Sequence, residues 1–153
     1  LGRKDLIETA KLNTAPRDPT IGRGLKVSKE DMIAMWAAVD RFVNLDHEAE
    51  EREWGRRIQV IEDALKDIPT VKTQHITPPI ANRFPHALIF WDEQHLGITR
   101  EQVTEKLRQG TPSIRLTRLP GTGDQGLLVS VLMLQPEEDK IVASRLREAL
   151  EMR

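Results

Sequence analysis

The chain has 153 residues, one domain by length, and its 39% hydrophobic and 31% charged residues match an ordinary globular protein. Its 23 basic and 24 acidic side chains nearly cancel, so no global basic field draws in nucleic acid or an anionic membrane. The absence of cysteine removes disulfides, thiolate zinc sites and a cysteine nucleophile, and it suits the reducing cytosol.

Residues 2–12 read as a short helix with Leu6, Ile7, Ala10 and Leu12 inward. Residues 13–24 hold two prolines and two glycines, which remove donors and invite unusual backbone angles, so they read as a loop. Ser28 is a good N-cap, with Glu30 and Asp31 in the first turn where the helix dipole favours negative charge. Helical periodicity continues to about Lys66 in two stripes. Ile33, Trp36, Val39 or Asp40, and Val43 form the first, and Trp54, Ile58, Ile61, Leu65 and Ile68 the second. The stretch 46–53 between them is almost wholly polar. Residues 28–68 are therefore expected to be a long connector, either one partly exposed helix or two segments bending near Asn44. One helix of about 40 residues would run about 60 Å, longer than so small a domain is wide. It needs something else to lie against.

The second half alternates. Strands are expected at 70–77 and 87–92, with Pro78 and Pro79 breaking between them. Thr99 caps a helix over 100–109 that turns Val103 and Leu107 inward, and Gly110 stops it. Two more strands fall at 113–119 and 127–134. Pro136 opens a last helix using Ile141, Val142, Leu146 and Leu150. The longest apolar run, 127–134, is far short of the ~20 residues a spanning helix needs. The fold class is α+β, a long connector helix followed by a small, mainly antiparallel sheet with helices on one face.

Few motifs carry chemistry. GTGDQG at 121–126 matches G-x-G-x-x-G, but a strand-like LLVSVLML follows where a dinucleotide site needs a helix, so it reads as a hairpin turn. His47 and Glu51 stand four apart without a further histidine at ligand spacing. Glu48 with Arg52 and Glu53 with Arg57 read as ion pairs on a solvated helix face. His75, His86 and His95 are scattered, the last two flanking the 87–92 strand as surface or loop residues. Trp36 and Trp54 favour association with a partner surface. Residues 20–29 (TIGRGLKVSK) place Arg23, Lys26 and Lys29 three apart beside two glycines and before a helix N-terminus. That pattern suits an anion site and equally a flexible basic linker.

GRKDLI at 2–7, the loop, and GRGLKVSKEDMIAMWAAV at 22–39 together resemble the segment after the cofactor-bearing lysine in selenocysteine-synthase-like proteins. These have the type I pyridoxal-phosphate (PLP) fold of aspartate aminotransferase. GLLVSVLMLQPEEDKIVASRLREAL at 126–150 resembles the end of the same family's small domain. The resemblance implies that residues 1–27 are the end of a large domain and its active-site loop, 28–68 the connector, and 69–153 the small domain. It implies that an N-terminal PLP-binding domain precedes Leu1, since Lys4, Lys11, Lys26 and Lys29 do not match the cofactor lysine. PLP is then expected in the parent protein and not on this chain alone, which would be inactive by itself. The expected partners are that domain and a second copy, as a cytoplasmic dimer without membrane or nucleic acid. Arg23 and Lys26 match two basic residues thought to contact the anionic substrate group. Lys26 departs from the arginine of selenocysteine synthase and supplies a point charge in place of a bidentate fork. Leu132 stands where some members carry an arginine for the substrate carboxylate. Both departures favour a transferase, lyase or aldolase-like relative acting on another amino compound. The alternative is a stand-alone α+β module for ligand binding or dimerisation.

Overall fold

A computed structural model describes residues 2–14, 19–77, 84–116 and 126–151. The chain divides into two compact units, Leu1–Asp46 and His47–Arg153.

The first unit holds helices α1 (Lys4–Asn13) and α2 (Lys29–Asn44). Ser28 accepts the Asp31 amide at 3.0 Å and starts α2 as the sequence indicates. The inward face expected of the first helix is not there. Neither helix buries a residue, and Leu6, Leu12, Ile33, Trp36 and Val43 are all exposed. Two short helices without a shared core gain almost none of the roughly 1.5–3 kcal/mol that each buried aliphatic side chain contributes.

Of the two arrangements open for 28–68, the structure has two segments. Asn44 donates its side-chain amide to the Asp40 carbonyl at 2.9 Å, Leu45 is extended, and α3 (His47–Leu65) begins two residues on.

The second unit has the core. Strands β1 (Lys72–Ile76), β2 (His86–Phe90) and β3 (Leu127–Ser130) form one antiparallel sheet in the order β1-β2-β3. Between β2 and β3 lie α4 (Glu93–Leu96), absent from the sequence reading, and α5 (Arg100–Gln109). Helix α6 (Glu138–Glu151) closes the chain. The register pairs Ala87 with Val129 and Ile89 with Leu127. These four share one face, since side chains alternate along a strand. They join Ile58, Ile61 and Leu65 of α3, Val103 and Leu107 of α5, and Val142, Leu146 and Leu150 of α6 in a single cluster. Leu88 and Leu128, also opposite each other, occupy the other face and are buried as well. The Thr99–Gln102 capping box fixes the start of α5. A Cβ at Gly126 would come within 2.8 Å of Leu88 Cδ1 and 3.0 Å of the Ile89 carbonyl, so a larger residue would make β2 give way at the entry to β3.

Several expectations are corrected. The described part of the 113–119 strand, residues 113–116, is not paired in the sheet. Ile114 donates its amide to the Leu107 carbonyl at 2.9 Å, and Ile114 and Leu116 pack against the core from outside the sheet. Alternation there reports burial of one side and not strand pairing. Ile141 is exposed, and Asp139, 1% exposed, begins the buried face of α6. His86 is neither surface nor loop, because it opens β2 buried, with Nδ1 2.9 Å from the Phe84 carbonyl. Trp54, half-buried, meets the Phe84 ring edge-on at 5.0 Å. Pro78, Pro79 and five of the six residues of GTGDQG lie outside the described residues. The segment after Gly126 is a strand, which a dinucleotide fingerprint does not allow.

Candidate functional site

The loop between α1 and α2 is built from its own backbone. Gly22 donates its amide to the Asn13 carbonyl at 2.9 Å, and residues 14 and 22 form a parallel bridge. A Cβ at Gly22 would overlap that carbonyl, so the close approach demands glycine. Arg23 and Leu25 donate their amides to Thr20 and Gly22 at 3.1 and 3.0 Å, two successive turns. The structure thus brings Arg23, Lys26 and Lys29 onto one short stretch, with Arg23 half-buried and both lysines exposed.

Several backbone groups of this segment are already bonded. The Gly22, Arg23 and Leu25 amides are taken within the loop, and Ser28 with the acidic residues Glu30 and Asp31 occupies the start of α2. These bonds leave the basic side chains of Arg23, Lys26 and Lys29 as the charged groups of the segment.

A second charged group ties α3 to α6. Glu53 accepts from Arg56 Nε and Nη2 at 2.8 Å and from Arg57 Nε at 2.9 Å, and these two guanidinium groups hold its carboxyl pKa down at about 2. Arg56 Nη2 also lies 3.0 Å from the buried Asp139 Oδ2, although out of hydrogen-bond alignment. Arg57 Nη1 donates to the Leu134 carbonyl at 2.6 Å and the Val131 carbonyl at 3.3 Å, pinning the turn after β3. Sequence spacing finds the Glu48–Arg52 and Glu53–Arg57 pairs, present at 3.6 and 2.9 Å. It misses the reach to Asp139 and Leu134, which only the tertiary packing creates. Leu132 lies in that pinned turn, half-buried beside a Met133 that is 81% exposed. The turn therefore presents apolar side chains and no cation.

The chain's own residues do not fit PLP. A lysine carrying the cofactor sits in a closed, low-dielectric pocket. Each of the eight lysines here is exposed or half-buried. Asp139, the buried carboxylate among the described residues, is matched with Arg56 in the α3–α6 clasp. His75 pairs with Glu62 at 3.0 Å and His95 is exposed. Among the described residues no three His, Asp or Glu side chains gather as metal ligands, and no helix is long and apolar enough to cross a membrane.

No protein-family model matches the sequence, and no curated protein matches it. A solved structure of D-glucosaminate-6-phosphate ammonia-lyase is similar in fold, with a TM-score of 0.64 over 98% of this chain at 19% identity. The chain spans 38% of that structure's length. The α+β architecture is thus a known one, found as part of a larger molecule.

Proposed function

We propose that this chain is the connector and small domain of a PLP-dependent enzyme, a lyase or transferase acting on an anionic amino compound. Residues 1–27 end the large domain and supply its active-site loop, 28–68 connect, and 69–153 form the small domain. The observation that carries this reading is the uneven core. The unit His47–Arg153 buries a continuous cluster, while α1 and α2 bury nothing. Helices of 10 and 16 residues are marginal in water without an apolar surface to pack against. The likeness to 38% of an ammonia-lyase structure supports a parent with a further domain to provide one.

The ammonia-lyase comparison also suits the cofactor. Breaking a carbon–nitrogen bond next to an acidic C–H is chemistry for which PLP supplies the electron sink. Arg23 and Lys26 bind and orient the substrate's anionic group from the small-domain side, Arg23 by paired donors and Lys26 as a point charge. Selenium transfer to an aminoacyl-tRNA fits less well, because the near-neutral charge and Lys26 both depart from it. The chain alone is inactive, and its lack of cysteine suits a cytoplasmic location.

Incubating the chain with PLP, reducing with borohydride and locating adducts by mass spectrometry tests this. Scattered, substoichiometric labelling of exposed lysines is expected. A stoichiometric adduct at one of the eight lysines would place the cofactor on this chain and overturn the reading.

A further inference from the structure

We draw no further inference here: the strongest candidate, the exposed apolar stripe of Met32, Ile33, Met35, Trp36 and Val43 on α2, belongs to the face already given to the further domain, and nothing in the structure shows what else covers it.

Discussion

In the protein carrying both domains, Arg23→Ala and Lys26→Ala should each raise KM for an anionic amino substrate by about 10- to 100-fold. That is the weight of a charge-assisted hydrogen bond of roughly 1.5–3 kcal/mol. If the two residues bind the anion alike before and during reaction, kcat stays nearly unchanged. Arg23→Lys should recover only part of the loss, because a lysine cannot offer the paired donors of a guanidinium. Steady-state kinetics on the anionic substrate and on a neutral analogue make the comparison. The analogue should be insensitive to all three changes, and equal losses on both substrates would remove these residues from the anion site.

Ile61→Ala should destabilise the chain by about 2–5 kcal/mol, the usual consequence of opening a cavity in a packed core. Ile61 is fully buried among α3, the sheet and α6. Val43→Ala in α2, where the side chain is exposed, should shift the same transition by less than about 0.5 kcal/mol in the monomer. Denaturant unfolding followed by the fluorescence of Trp54 and Trp91 reads both. Comparable losses would mean that α2 shares the core of the second unit.

The sequence made legible those elements whose periodicity matches their burial. The stripe Ile58, Ile61, Leu65 and Ile68, the caps at Ser28 and Thr99, and the buried run of β2 all stand where residue pattern puts them. An apolar stripe is indifferent to what buries it, which is why Leu6 and Leu12 read as inward and are exposed here. The same indifference accounts for Ile114 and Leu116, whose alternation is satisfied by packing without strand pairing. Asp139 could not be placed, because the Arg56 that accompanies it is more than eighty residues away in the chain. The site loop was legible as a cluster of charge. Its internal turns depend on the Gly22–Asn13 approach, and no local pattern announces that approach.

Amide hydrogen exchange on the chain, at a dilution where it is monomeric, tests most directly whether residues 1–46 need a surface they do not themselves provide. Segments 58–65 and 142–150 should exchange slowly, with the protection of the global fold, while 29–44 should exchange within seconds to minutes. Protection across 29–44 equal to that of 58–65 in the monomer would show that α2 holds itself, and the account of an incomplete molecule would fail.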